Sequence, residues 1–333
     1  MEIPMKKSIL SIGTVAAVAA LVLGASMPAL ALATSPDGDS FYSAGYWDTE
    51  NGGGISSAFW QVHPGSPSTL TVIQATHDDP QMITDGAYDA NAGKSYVIGY
   101  GYGPECQLWS VDITTGAYTL IGPITQDHNA DEGGPEPSTS CNAFDILDAG
   151  TAYITIFGTE LYRLDLTTGA ATYIADVVDS RFIDTGLALS VISEQPGTGT
   201  VYAIDFNGFV YTLDLTTGVA TYLINPSGLW NSFDADFDSA GTWWVTVWDD
   251  DAARLVSITD PAHAADSLEA GDPVEGWFTD SLWIIPAPAV DDGGDDEVPA
   301  LANTGTSPLP LAFGALLLLL AGTGVVVLRP RRA

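Results

Sequence analysis

The stretch LYRLDLTTGAATYI, from Leu161 to Ile174, decides the fold because it recurs along the chain. It returns as VYTLDLTTGVATYL from Val210 to Leu223 and as LWSVDITTGAYTLI from Leu108 to Ile121. Two degenerate copies flank these three, FWQVHPGSPSTLTVI from Phe59 to Ile73 and LVSITDPAHAADSL from Leu255 to Leu268. Equivalent turn positions in successive copies lie 49, 53, 49 and 45 residues apart. Repeats of this length are typical of propeller blades and longer than short solenoid coils.

Two further strand-like runs precede each copy, except that the first copy has only one. The second strands read FYSAGYW (41–47), SYVIGYG (95–101), TAYITIF (151–157), TVYAIDF (200–206) and TWWVTVW (242–248). The first strands read ITDGAYDA (83–90), NAFDIL (142–147), TGLALSV (185–191) and SFDADFD (232–238), and a spare one, FTDSLWII (278–285), ends the series. Aromatic and β-branched residues dominate, as strands prefer. The spare strand predicts an all-β, five-bladed β-propeller over residues 34–285, closed by a C-terminal strand that completes blade 1.

This pattern resembles the broad class of repeat propellers with an LYxIDxxTG blade motif, which identifies blades and carries little functional information. In the DxTTG turns the aspartates Asp112, Asp165 and Asp214 are expected to cap the turn, with the glycine in a left-handed conformation. These three aspartates are therefore predicted to be structural rather than catalytic.

The first 33 residues have the layout of a secretory signal peptide. Lys6 and Lys7 begin it, an apolar run follows from Ile9 to Leu23, and small residues lead to Ala33. This order predicts export and cleavage between Ala33 and Thr34. An uncleaved N-terminal anchor helix is the alternative.

The last 33 residues, 301–333, have three parts in order. Leu301-Ala302-Asn303-Thr304-Gly305 precedes an apolar stretch over 309–328, long enough to cross a membrane as a helix, and Arg329, Arg331 and Arg332 follow it. This tail resembles the LPxTG cell-wall sorting signal of Gram-positive surface proteins, in the LAxTG variant of actinobacterial-type species, since Ala302 replaces the usual proline.

The resemblance implies that a class E-like sortase cleaves between Thr304 and Gly305 and joins Thr304 to peptidoglycan. The protein would then be extracellular and anchored to the cell wall, and only its precursor would be held in the membrane, by the C-terminal helix. An ordinary tail anchor is the alternative. Residues 286–300, PAPAVDDGGDDEVPA, read as a solvated spacer before this signal.

Charge narrows the classes of partner. The chain has 42 acidic against 9 basic residues, a net charge of −33. Five of the basic residues and only one acidic residue lie in the two terminal signals, so the displayed part carries 41 acidic and 4 basic residues. This balance argues against nucleic-acid binding and against docking on anionic membranes.

The loops that enter the first and third strands of the blades are expected to share one face of the propeller, the face that usually holds ligands in this fold class. Its longest insertion, Gly122 to Ser140, includes Asp127 and His128, and Glu160 belongs to a neighbouring loop. A loop of that length is usually functional or disordered. Cys106 and Cys141 fall on the same face and, in an exported protein, predict a disulfide that fixes the insertion, with two free thiols as the alternative.

First strands also bring carboxylates to the axis. Asp85, Asp145, Asp234 and Asp280 occupy near-equivalent places and predict a candidate ligand or cation face, which as an acidic ring would hold a hard cation such as Ca²⁺. The alternative is a polar rim that binds only water. No other cofactor is indicated.

Three functions remain open from the sequence. The first is a non-enzymatic surface protein whose acidic face binds carbohydrate, protein or cation. The second is a cell-surface glycosidase that uses axial carboxylates as acid and base. The third is a structural envelope protein without a dedicated ligand. The four histidines accompany no Ser or Cys nucleophile motif, and the blades are very alike, so the sequence favours binding over catalysis.

Overall fold

Antiparallel β-sheets dominate the protein. The computed structural model describes residues 38–47, 56–64, 69–77, 80–101, 103–128, 135–226, 228–229, 231–249, 252–274 and 281–287. The described residues form five sheets, numbered here 1 to 5 in chain order of their main strands. The chain divides into two units at Ala287, and the second unit, Pro288–Ala333, lies outside the described residues.

Three of the sheets have four strands each, numbered with all the others in chain order. Sheet 1 contains β1 (Ser40–Trp47), β2 (Ser56–His63), β3 (Thr69–His77) and β24 (Trp283–Ile285). Sheet 2 contains β4 (Met82–Asp89), β5 (Lys94–Tyr100), β6 (Cys106–Asp112) and β7 (Ala117–Pro123). Sheet 5 contains β20 (Ser232–Phe237), β21 (Trp243–Asp249), β22 (Ala252–Ile258) and β23 (Leu268–Val274).

Sheets 3 and 4 have the same four-strand core and two short strands added at the outer edge. Sheet 3 contains β10 (Cys141–Ile146), β11 (Ala152–Ile156), β12 (Glu160–Leu164) and β13 (Ala170–Asp176), with β8 (Thr125–Gln126) and β9 (Glu136–Pro137) beyond β13. Sheet 4 contains β16 (Leu189–Gln195), β17 (Thr200–Asp205), β18 (Val210–Leu213) and β19 (Val219–Ile224), with β14 (Val178–Asp179) and β15 (Phe182–Gly186) beyond β19.

The sheets have a propeller-like arrangement. The innermost strands are β24, β4, β10, β16 and β20, and each packs against the innermost strands of the neighbouring sheets. Apolar clusters fill the spaces between sheets; one of them joins the inward faces of sheets 2 and 3 around Ile98, Phe144 and Ile154. The prediction of an all-β propeller-type fold is confirmed at this level.

The C-terminal strand completes sheet 1. β24 pairs antiparallel with β1 through Phe41 opposite Ile284, so the strand missing from the first repeat is supplied by the end of the domain. Trp283 is fully buried, its indole nitrogen donates to the Ser95 hydroxyl at 3.0 Å, and its ring stacks near Phe59. The large apolar surface of this indole is buried between sheets 1 and 2, which stabilises the closure.

The repeated turns have the predicted chemistry. Asp165 Oδ1 accepts the amide of Thr167 at 2.8 Å, and Asp214 Oδ1 accepts that of Thr216 at 2.8 Å. Gly169 and Gly218 have φ of 78° and 71°, a left-handed conformation that favours glycine. The structural interpretation of these turn residues is confirmed.

One strand prediction was wrong. The innermost strand of sheet 4 is β16, which begins four residues after the start of the predicted strand 185–191. The shift arises because Phe182–Gly186 forms the separate short strand β15 against β14. A short helical segment, Pro261–His263 followed by Ala264–Ser267, also replaces the turn of the last degenerate copy, where Asp260 caps the first of the two helices.

Candidate functional site

Four aspartates on the innermost strands link neighbouring sheets. Each accepts the amide of the residue after it with one carboxyl oxygen and the amide of a residue on the adjacent sheet with the other. These second bonds join Asp85 Oδ2 to Phe144 N (2.6 Å), Asp145 Oδ2 to Glu194 N (3.0 Å), Asp234 Oδ2 to Leu282 N (2.6 Å) and Asp236 Oδ2 to Ile284 N (2.7 Å). Sheets 2 and 3, 3 and 4, and 5 and 1 are connected in this way.

The need for these bonds follows from the position of the strands. An innermost strand has a ladder partner on one side only, so the amides on its axial side require another acceptor. A buried amide without a partner costs free energy comparable to a lost hydrogen bond. The aspartate carboxyls supply that acceptor from the next sheet.

Asp85 and Asp234 meet each other at the axis. Both residues are only 1% exposed, and their carboxyl groups are close enough to influence each other's titration. Burial raises the pKa of each carboxyl well above its usual range, and the charge of Asp85 raises the pKa of Asp234 further. Since two close buried carboxylates strongly disfavour double ionisation, we expect the pair to share one proton.

Asp145 titrates in a different range. The pKa of its carboxyl is raised to about 7, mainly by burial. The hydrogen bonds from the amides of Glu194 and Ile146 lower this pKa, and the nearby charges of Glu194 and Asp148 raise it. Burial, then the charge of Asp145, also raises the pKa of Asp236.

A cavity of ≈ 60 Å³ lies beside this second group. Asp145, Asp148, Glu194 and Asp236 line it, together with apolar residues that include Phe237. Asp148 lies in the turn between β10 and β11, and Pro196 lies in the turn between β16 and β17. The cavity therefore opens on the face opposite the loops where the sequence predicts ligand binding.

The structure brings together three of the four predicted axial residues. Asp85 lies close to Asp234, and the charge of Asp145 acts on Asp85. Asp280 lies outside the described residues. Their hydrogen bonds give these carboxyls a structural role between strands, and the Ca²⁺ ring stays a prediction. The sequence reasoning missed Asp236, although the D-x-D alternation in SFDADFD places Asp234 and Asp236 on the same side of one strand.

The predicted disulfide is present. Cys106 and Cys141 are bonded, with their Cα atoms 6.1 Å apart. Around it, the amide of Cys106 donates to Ser138 O at 2.7 Å, and the amide of Ser138 donates to Ile124 O at 2.8 Å. Both ends of the long insertion are therefore held against sheet 2.

The predicted terminal signals lie outside the described residues. Residues 1–33, including the cleavage site at Ala33, and residues 301–333, including Thr304, are not described. Within the described part of the chain, no helix reaches the length and apolarity needed to span a membrane.

No family model and no curated protein matches the chain. Among solved structures it is similar to TolB from Acinetobacter baumannii, with 12% identity over 74% of this chain and 67% of that one and a TM-score of 0.43. It is also similar to a gluconolactonase from Xanthomonas campestris (14% identity, 75% and 84% covered, TM-score 0.41). A third is a 6-phosphogluconolactonase-like protein from Bacteroides uniformis (13%, 70% and 81%, TM-score 0.40).

Proposed function

We propose that the chain is a non-enzymatic binding protein displayed on a Gram-positive cell surface. Residues 1–33 would direct export, residues 34–285 would form a five-bladed propeller, and a sortase would join Thr304 to peptidoglycan. The extracellular location agrees with the disulfide between Cys106 and Cys141, because such bonds persist in oxidising compartments.

The observation that carries a binding role is the conformation of Phe157. This residue follows β11, has φ of 54° and is 50% exposed. A bulky residue in the left-handed region is strained, and an exposed phenyl ring gains little from burial in compensation. Strain of this kind is concentrated at functional sites.

Three further exposed apolar side chains lie on sheet 4, the neighbour of the sheet that carries Phe157. Phe206, which follows β17, is 49% exposed, and Phe182 and Ile183, at the outer edge of sheet 4, are 62% and 68% exposed. Groups of exposed apolar side chains are typical of protein-binding surfaces. Because Ile183 is aliphatic and does not stack on sugar rings, a protein partner fits this surface better than a carbohydrate.

The axial carboxyls favour binding over hydrolysis. Both oxygens of Asp85, Asp145 and Asp234 already accept backbone amides. A catalytic carboxyl must reach the reacting atoms with an oxygen, and using these would break the links between sheets.

Two measurements test the proposal. Full-length protein made in a host with a class E sortase should appear in the cell-wall fraction and be released by muramidase, whereas the Thr304→Ala variant should not. Cells displaying the wild type should then bind components of a panel of extracellular proteins and glycans more strongly than cells displaying Phe157→Gly.

The glycine variant separates function from stability. Glycine relieves the left-handed strain, so Phe157→Gly should unfold at the same or a higher temperature than the wild type. Equal binding by both forms would contradict the role of Phe157, and detergent-soluble wild type would contradict wall anchoring.

A glycosidase is the second candidate, favoured by the cavity at Asp145. A carboxyl with a pKa of about 7 beside further acidic residues has the properties of a general acid. Turnover of aryl glycosides that Asp145→Asn or Asp236→Asn abolishes would establish this activity, and it would replace the binding proposal.

A further inference from the structure

Sheets 3 and 4 carry the same added layer at their outer edges. β8 runs parallel to β13 of sheet 3, and β14 runs parallel to β19 of sheet 4. Two residues after each short strand, a side chain lies flat on a tyrosine. The His128 ring stacks on Tyr173 with centroids 3.7 Å apart, and the Arg181 guanidinium lies 3.7 Å above the ring of Tyr222.

In sheet 4 the added layer contains a basic side chain, that of Arg181. Arg181 donates to Asp179 Oδ2 at 2.6 Å and stacks on Tyr222. Phe209 packs edge-on against the same tyrosine, with ring centroids 6.1 Å apart. The arginine charge is thus neutralised within the layer, and an aromatic side chain closes it.

Sheet 3 has different side chains at the equivalent positions. Where sheet 4 has Arg181, Phe209 and Asn225, the repeat alignment places His128, Glu160 and Asp176. Their ligand atoms, one imidazole nitrogen and two carboxylate oxygens, all lie within 4.8 Å of one another. Three metal-binding side chains have therefore replaced a cation, an aromatic and an amide on the same scaffold.

Two features indicate that a cation belongs among them. Glu160 and Asp176 are directly opposite each other in the β12–β13 ladder, where like charges are destabilising. Each carboxylate is also oriented by a tyrosine, since Tyr162 Oη donates to Glu160 Oε2 at 2.6 Å and Tyr173 Oη donates to Asp176 Oδ1 at 2.9 Å. Hydrogen bonds of this kind typically orient the ligands of a metal.

We propose that His128, Glu160 and Asp176 bind a divalent transition-metal ion, with Zn²⁺ as the best fit. One imidazole and two carboxylates leave a fourth position for water, as in open tetrahedral zinc sites. Ca²⁺ fits less well because it prefers six to eight oxygen ligands. His128 and Glu160 are half-buried and Asp176 is exposed, so an ion reaches the site from solvent.

The test uses the full chain after removal of metals with a chelator. Titration with ZnCl₂ should show one zinc ion bound per chain and a higher melting temperature, and CoCl₂ should give the visible absorption of a four-coordinate cobalt site. His128→Arg should keep the fold, since sheet 4 accommodates Arg181 at this position, and should abolish zinc binding. Glu160→Gln should weaken binding at least about 10-fold.

Glu136→Gln is the matched control. It removes the same charge as Glu160→Gln, from the insertion that contains His128 but outside the cluster, and should bind zinc as the wild type does. The proposal is overturned if wild-type protein binds neither Zn²⁺ nor Co²⁺, or if His128→Arg and Glu160→Gln bind zinc as tightly as the wild type. Zinc binding at this site does not depend on anchoring to a cell wall. A negative zinc result would therefore leave the surface-display proposal untouched, and the reverse also holds.

Discussion

The carboxyl groups of Asp85 and Asp234 lie close together at the axis and act on each other's pKa, although they belong to sheets 2 and 5, which are not neighbours in the ring. Each of them also accepts an amide from an adjacent sheet. This pair therefore connects four of the five sheets, and its state of protonation affects the stability of the whole domain.

We expect the protein to lose stability as the pH rises from about 5 to about 8. The pKa values of Asp85, Asp145 and Asp234 are raised in the folded protein. At pH values between the pKa of the unfolded chain and that of the folded protein, the folded protein therefore binds more protons than the unfolded chain. For Asp145 this pH range ends at about pH 7. The loss in free energy of unfolding that its ionisation causes amounts to roughly 2–4 kcal/mol. Urea unfolding across this pH range measures the effect.

Asp234→Asn should flatten that dependence. The amide cannot ionise, and it removes the like charge that acts on Asp85. The variant should be less stable than the wild type at about pH 5, because asparagine has only one acceptor oxygen for the amides of Ala235 and Leu282, and closer to it at about pH 8. Asp266→Asn, at an exposed position of the short helix Ala264–Ser267, is the control, and an unchanged pH slope in Asp234→Asn would contradict the shared-proton assignment.

Below pH 4 the turn aspartates should set the limit of stability. Hydrogen bonds from Thr167 lower the pKa of Asp165, so its contribution is present above the unfolded pKa and is lost as the pH falls through the folded one. Asp165→Ala should lower the melting temperature at pH 6 and have no effect at about pH 2. The same loss at both pH values would show that the carboxylate charge is not involved.

Reduction of the disulfide should destabilise the domain by about 3–4 kcal/mol, because the bond closes a loop between residues 35 apart. The Cys106→Ser/Cys141→Ser variant should show the same loss in urea unfolding, and addition of a reducing agent should not affect it further. A loss well below 1 kcal/mol would indicate that backbone bonds around Ser138 hold the insertion without the disulfide.

Gly86→Ala should cost about 1–3 kcal/mol through overpacking. A Cβ at this position would lie 2.5 Å from the ring of Trp283, which is fully buried. Gly103→Ala is the control, because its Cβ would meet no atom closer than the Glu105 amide at 3.9 Å. Equal melting temperatures for both variants would show that Trp283 can shift, and that the closing strand packs more loosely than described.

The sequence by itself determined the repeated sheets, the strand exchange that closes sheet 1 and the chemistry of the turns. These features depend on two local patterns, the alternation within strands and the Asp and Gly of each DxTTG turn. Both patterns can be recognised because they are repeated along the chain. Even the disulfide between Cys106 and Cys141 was predictable, since the two residues lie at the starts of strands that begin on one face.

Only the tertiary structure decided what the acidic residues do. Whether Asp85 faces water or the amide of Phe144 depends on how closely the innermost strands approach, and no local pattern contains that distance. His128 meets Glu160 and Asp176 because the connection after sheet 2 runs along the outer edge of sheet 3 before it turns to the axis. Both arrangements arise from packing between sheets, where residues far apart in sequence share one environment.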